Sequence, residues 1–204
     1  MLGPALKNQS AGFTLIEMMV TIVVLALLLA VGIPGFRDFM RNSRMVSAAN
    51  DVVTDFNLAR SESVKRRVPV TLCKSQDGAA CDADASAPFR SWIVFIDDAD
   101  PAVAAATDGN GVVNNGEQVL RQRTIADTLT VTTNANARLA VFLPTGFPRA
   151  AAAGNVTDLR LCDDRGNVTG VGGDSAARAI QVLPTGRPMV TRNVTTIGNL
   201  GGCP

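Results

Sequence analysis

The sequence predicts an α+β protein: a long N-terminal α-helix, with a membrane half and an amphipathic half, packed on a mostly antiparallel β head. Three observations predict it. Residues 13–33 are an apolar run with a single acid, Glu17. Apolar residues then recur at spacings of three, four and five as far as Val64, the mark of a one-sided helix. Beyond Val68 the period drops to two, with Gly, Pro, Asn and Asp between short apolar segments.

The apolar run comes first. From Phe13 to Ile33 there are 21 residues, and at about 1.5 Å of rise each, a helix of that length crosses a hydrocarbon core of about 30 Å. A carboxylate inside lipid costs at least a few kcal/mol unless it is paired or neutralised, so Glu17 is a functional-site candidate that needs a partner. Residues 1–12 carry Lys7 as their one charged side chain, and no small-x-small cleavage site follows the run, so an ordinary secretory signal fits poorly. An uncleaved anchor explains the length and leaves Glu17 without a role.

Residues 34–66 read as an amphipathic continuation of the same helix. Pro34 removes a backbone hydrogen bond and predicts a kink or local break. Met45, Ala48, Ala49, Val52, Val53, Phe56, Ala59 and Val64 form one apolar stripe suited to packing on a sheet. Lys65, Arg66 and Arg67 close the helix, where cations complement its negative end.

Residues 67–204 make the head. Strands are predicted at 68–73, 91–96, 117–124, 128–133, 139–143, 156–162, 179–183 and 189–194, with a loop at 77–88 and a longer one, rich in Asp, Asn, Gly and Ala, at 97–116. The segment Leu143-Pro-Thr-Gly-Phe-Pro148 returns as Leu183-Pro-Thr-Gly-Arg-Pro188, which reads as one strand-end turn built twice. Two copies fall short of a solenoid.

Composition narrows the function. The net charge is +1, so no global field argues for a polyanionic partner. Its distribution is uneven: residues 67–137 hold five basic residues against nine acids, and residues 138–204 hold seven arginines against four aspartates, which makes the tail half the basic face. The absence of histidine removes Ser-His-Asp and Cys-His nucleophile systems and the commonest metal ligand, so the chain reads as no enzyme. The acids of the 97–117 loop suggest calcium, but an EF-hand frame begun at Asp108 puts Val112 and Val113 where an acid or amide and a glycine are required, so no metal or other cofactor is expected. The loop reads instead as a solvated connection. Four cysteines without C-x-x-C spacing allow three pairings, of which proximity favours Cys73 with Cys81 and Cys162 with Cys203. Such bonds persist outside the cytoplasm. One signal opposes that topology: Lys7 precedes the apolar run while Arg37, Arg41 and Arg44 follow it, the reverse of the positive-inside bias.

Gly12-Phe13 followed by Thr-Leu-Ile-Glu17 resembles the type IV prepilin signature, and Trp92-Ile-Val-Phe-Ile-Asp97, Gly116-Glu-Gln-Val-Leu-Arg121 and the Gly186-Arg187 turn resemble the FimT/FimU/GspH class of minor pilins and pseudopilins within that family. The resemblance implies a pilin-like lollipop fold, with residues 1–12 as leader. A prepilin peptidase would cut between Gly12 and Phe13, the new amine of Phe13 would be methylated, and Glu17 would pair with the amine of a neighbouring subunit. It implies an inner-membrane precursor with a periplasmic head, later part of a pilus or pseudopilus, and major and minor pilins or pseudopilins as partners. It further implies double-stranded DNA as a candidate ligand through a Gly-Arg-x-Arg element. Here that element reads Gly186-Arg187-Pro188-Met189, with Arg192 three residues further on, and Arg178 and Arg149 would complete a patch if the two repeated turns lie together.

Overall fold

A computed structural model describes residues 12–84, 89–98, 109–114, 116–134, 137–149, 155–170 and 172–203. Helix α1 runs from Leu15 to Arg66 without a break at Pro34. The chain divides into two compact units, Met1–Arg41 and Asn42–Pro204. In the first, the helix is long and apolar enough to cross a membrane, and its side chains are exposed.

The second unit holds the core. Eight strands follow α1: β1 (Val70–Lys74), β2 (Ser91–Ile96), β3 (Val119–Thr124), β4 (Thr130–Thr133), β5 (Leu139–Phe142), β6 (Asp158–Cys162), β7 (Asp174–Val182) and β8 (Pro188–Asn193), then a short helix α2 (Val194–Asn199). They form two antiparallel four-stranded sheets, ordered β3-β2-β1-β5 and β4-β6-β7-β8. The amphipathic stripe of α1 packs on both. Met45, Ala48, Ala49, Val52, Phe56 and Ala59 share one cluster with Leu72, Trp92, Val94 and Phe142 of the first sheet and Leu159, Leu161 and Ile180 of the second. Val64, expected on the stripe, is half exposed, and Asp55 takes a fully buried place on that face instead.

Each sheet also covers part of its outer face, which explains why β1 and β6 are buried along their whole length rather than alternating. Outside the first sheet, Cys73, Ile93 and Phe95 meet Cys81 and Val113. Outside the second, Cys162, Ala177 and Ala179 meet Ile197, Leu200 and Cys203. A disulfide lies in each place, Cys73 with Cys81 and Cys162 with Cys203.

Two local differences from the sequence expectation have clear causes. Residue 194 was expected to end a strand but begins α2, because the Asn193 side chain accepts a hydrogen bond from the Thr196 amide and caps a helical turn. Strand β7 begins five residues earlier than expected, with an irregularity against β8 between Asp174 and Ala179. The Arg178 guanidinium fills that irregularity, its Nη1 donating to the carbonyls of Ser175, Ala176 and Ala177.

Candidate assembly site and head surfaces

At the start of α1, Thr14 and Glu17 cap each other. The Glu17 amide donates to Thr14 Oγ1 at 3.2 Å, and the Thr14 amide donates to Glu17 Oε2 at 3.5 Å. This reciprocal pair is a capping box, which satisfies two amide donors that a helix start leaves without partners. Glu17 therefore has a partner within its own chain, a role that sequence reading missed although Thr-x-x-Glu ahead of an apolar run is its signature. Gly12 lies in open space and Phe13 is 82% exposed.

The head is keyed to α1 through Asp55. Its Oδ2 accepts from Trp92 Nε1 at 2.8 Å and from Arg123 Nε at 2.7 Å. Its Oδ1 accepts from Arg123 Nη2 at 3.2 Å and Arg121 Nη1 at 3.3 Å. Arg123 also reaches Asp51 at 3.0 Å, and its hydrogen bonds to Asp55 raise the guanidinium pKa. The geometry follows from two periodicities: Asp51 and Asp55 stand one turn apart on the helix, while Arg121 and Arg123 alternate to the same side of β3.

The two repeated turns do lie together. Gly146 and Gly186 have φ of +78° and +79°, and in each turn the glycine amide donates 2.8 Å to the leucine three residues before it. Arg60 of α1 donates from Nε to the Gly146 carbonyl at 3.2 Å. A Cβ on Gly186 would stand 2.4 Å from that same carbonyl oxygen, whereas one on Gly146 would press on the tip of Val64, at 2.8 Å, and touch Arg60 at an ordinary contact distance of 3.6 Å. Gly186→Ala is thus expected to destabilise a fragment spanning residues 42–204 by about 2–3 kcal/mol, combining left-handed strain with a backbone clash. Gly146→Ala should cost about 1 kcal/mol less, since exposed Val64 can turn aside. Urea midpoints of the two variants check the ranking.

This closeness does not create the expected arginine patch. Arg178 is buried, and burial, then the charges of Arg192 and Arg165, lower its pKa. Arg149 donates to the Gly109 carbonyl and is partly buried. Only Arg187 and Arg192 of the four candidates are exposed, and Arg192 pairs with Asp174 at 3.4 Å. The basic tail is consumed in the same way elsewhere: Arg160 bonds the carbonyls of Leu200 and Thr133, and Arg138 those of Asp82 and Ala83. Arginine suits this work because its planar group offers five donors.

The loop after β2 also departs from the solvated reading, while its residues 99–108 and 115 lie outside the described ones. Asp97 is fully buried; its Oδ2 accepts from Thr71 Oγ1 at 2.5 Å and from the Gly111 amide at 2.9 Å. Burial raises its pKa against those hydrogen bonds. Glu117 accepts from the Asn114 amide at 2.9 Å, and burial, with the charges of Asp97 and Asp98 adding to it, pushes its pKa up to about 7. A carboxyl with a raised folded pKa contributes stability below its unfolded value that is lost as pH rises through the folded one. Stability of the 42–204 fragment should therefore fall between about pH 4.5 and pH 7, by well under the roughly 3.4 kcal/mol that 1.36 kcal/mol per pH unit would give, because solvent screens this partly exposed group. Glu117→Gln should flatten that slope, and denaturation at several pH values reads it. Among the described residues no group of three or more His, Cys, Asp or Glu is placed to hold a metal ion.

Comparison with known proteins places these features in context. The family described as type II transport protein GspH matches residues 48–195, and the prokaryotic N-terminal methylation motif matches residues 7–33. The chain is similar to the prepilin peptidase-dependent protein D of Escherichia coli K12, at 35% identity over 37% of this chain and 45% of that one. It is also similar to the fimbrial protein EcpC of Eikenella corrodens, at 40% identity over 22% of this chain and 29% of that one. The chain thus spans less than half the length of either relative. Among solved structures it is similar to the type IV minor pilin FimU of Pseudomonas aeruginosa PAO1, with a TM-score of 0.47 and 15% identity over 77% of this chain and 94% of that one.

Proposed function

The chain belongs to the GspH family and carries the N-terminal methylation motif, as a structural subunit of the minor pilin and pseudopilin class rather than an enzyme, and from that premise we propose that it is a minor pilin of a type IV pilus. A prepilin peptidase cuts between Gly12 and Phe13, the Phe13 amine is methylated, and the subunit enters the filament near its tip, where it primes assembly with other minor and major pilins. The precursor sits in the inner membrane with residues 34–204 on the periplasmic side. The observation that carries this reading is Glu17, a single acid at the mouth of an exposed apolar helix, four residues beyond Phe13.

A second reading, a pseudopilin supporting protein export, is favoured by the family's description as a type II transport protein. The fimbrial description of one relative supports the pilus, while the prepilin-peptidase dependence of the other fits both readings. A clean deletion in the source bacterium, scored together for surface pili, twitching, uptake of external DNA and secreted enzyme activity, separates them. Loss of pili with normal secretion supports the pilus; loss of secretion with normal pili sinks it. Double-stranded DNA, the remaining candidate partner, is left with Arg187 and Arg192 as exposed tail contacts. Two phosphate contacts support weak binding with a shallow salt slope of about −2. Duplex binding by the 42–204 fragment is thus expected at low salt only, and Arg187→Ala should abolish it.

A further inference from the structure

We propose that Asn110 is a latent modification site, an Asn-Gly pair open to spontaneous deamidation and held in check by the buried carboxylate of Asp97. In such a pair the glycine nitrogen attacks the asparagine side-chain carbon. A bond forms between the Gly111 nitrogen and Cγ of Asn110, the bond from Cγ to Nδ2 breaks, and the displaced nitrogen takes the amide proton and leaves as ammonia. Water then opens the cyclic imide to aspartate or isoaspartate, so no partner but water is needed. Glycine favours the attack because no side chain shields its nitrogen. The fold imposes the pair: Gly111 has φ of +74°, and a Cβ there would stand 2.5 Å from Leu139 Cδ2, so conformation and space both oppose a larger residue.

The carbon under attack is presented to water. Asn110 is exposed, and its Oδ1 accepts from the Val112 amide at 2.7 Å, which polarises the side-chain carbonyl. The attacking nitrogen is what the structure withholds. Gly111 is buried, and its N–H donates to Asp97 Oδ2 at 2.9 Å, beside Thr71 Oγ1, which donates to the same oxygen. To attack, the nitrogen must leave this acceptor and lose its proton. A carboxylate at hydrogen-bond distance opposes that loss, because it repels the negative charge developing on nitrogen, and more strongly where water is excluded. Asp97 is fully buried, and its main chain holds the same loop, with the Gly109 amide donating to the Asp97 carbonyl at 3.0 Å. The buried acid thereby acquires a task, that of positioning the Gly111 amide away from its neighbour.

The test incubates the full chain in detergent at about pH 8, above the ordinary carboxylate range, and follows each asparagine by peptide mass spectrometry, which reads the conversion of amide to acid. Asn115-Gly116 is the second pair of this kind in the sequence and serves as the clock. In urea the two pairs should react alike. In the folded chain Asn110 should react at least about ten-fold more slowly than in urea. Asp97→Asn keeps an oxygen for both donors and removes the charge, so it should speed Asn110 about five-fold and leave Asn115 unchanged. Circular dichroism and intact disulfides establish that the variant is folded. Equal Asn110 rates in the native chain and Asp97→Asn overturn the proposal. So does an equal acceleration of Asn110 and Asn115, which would make Asp97 a general brace of the loop. Hydrogen exchange of the native chain gives a reading that needs no variant: the Gly111 amide should be protected at least about ten-fold over the chain in urea, and an unprotected amide overturns the proposal whether or not the variant folds.

Discussion

Asp55→Ala is expected to lower the unfolding free energy of the 42–204 fragment by about 3–5 kcal/mol, the usual cost of removing one partner from a buried ion pair. Asp55 is wholly shielded from solvent and accepts from an indole and two guanidiniums. Its loss strands the Trp92 N–H inside the core with no acceptor. Arg121 and Arg123 retain some exposure, 38% and 25%, and recover part of their hydration, which places the effect toward the lower end. The control is Asp51→Ala. That carboxylate is 38% exposed and pairs with Arg123, so its removal should cost under about 1 kcal/mol. Urea unfolding of both variants decides the matter, and equal small losses would remove the idea that Asp55 keys the helix to the sheet. Adding Arg123→Met to Asp55→Ala should cost less than Arg123→Met does alone, because the contact between the two side chains is lost only once.

Glu17 carries the second large effect, and the capping box makes the substitution chosen important. Glu17→Ala removes both a charge and an acceptor for the Thr14 amide. Losing the cap alone costs about 1 kcal/mol of helix stability. Glu17→Gln keeps a side-chain oxygen that can take the same hydrogen bond, because glutamine serves in capping boxes as glutamate does. If the carboxylate pairs with the amine of an adjacent subunit, Glu17→Gln must still be cleaved and inserted yet enter filaments at least ten-fold less often. A loss of about 1.4 kcal/mol at the pairing step suffices for that factor. Immunoblots of sheared filaments against whole cells give the ratio. Normal incorporation of Glu17→Gln, with failure of Glu17→Ala, would make Glu17 a helix cap and end its proposed role in pairing.

Much of this architecture is legible in the residues. All eight strands lie at or near their expected positions because Gly, Pro, Asn and Asp punctuate the segments sharply. The places that were not legible share a physical cause, polar groups that work inside the protein. Asp55 falls on the apolar stripe three residues after Val52 and four before Ala59, and periodicity alone gives no partner for it. Arg121-x-Arg123 on a strand was the available signal. Arg149 and Arg178 were placed on the surface because charge counts carry no information on depth, whereas the structure shows guanidiniums tied to main-chain carbonyls. The solvated reading of the loop includes Asp97, although it directly follows the apolar run Trp92–Ile96 and takes a hydrogen bond from Thr71. Val194-Thr-Thr-Ile197 is β-branched throughout, so its helical turn is set by the Asn193 cap and by burial of Ile197 against propensity.

The paired turns give the head a further property. Its two sheets are joined at one place by the Val156 amide, which donates to the Leu139 carbonyl at 2.7 Å, and at another by Gly186 lying against the Gly146 carbonyl with Arg60 reaching that same oxygen. A layered protein with one such seam opens like a cover, one sheet exchanging its amide hydrogens before the other. With two seams and a shared helix, neither sheet has an independent route to solvent. Amides in β1 and β6 should therefore exchange through the same global opening, with matching protection and matching dependence on denaturant, and Gly186→Ala should be the change that lets their clocks run apart.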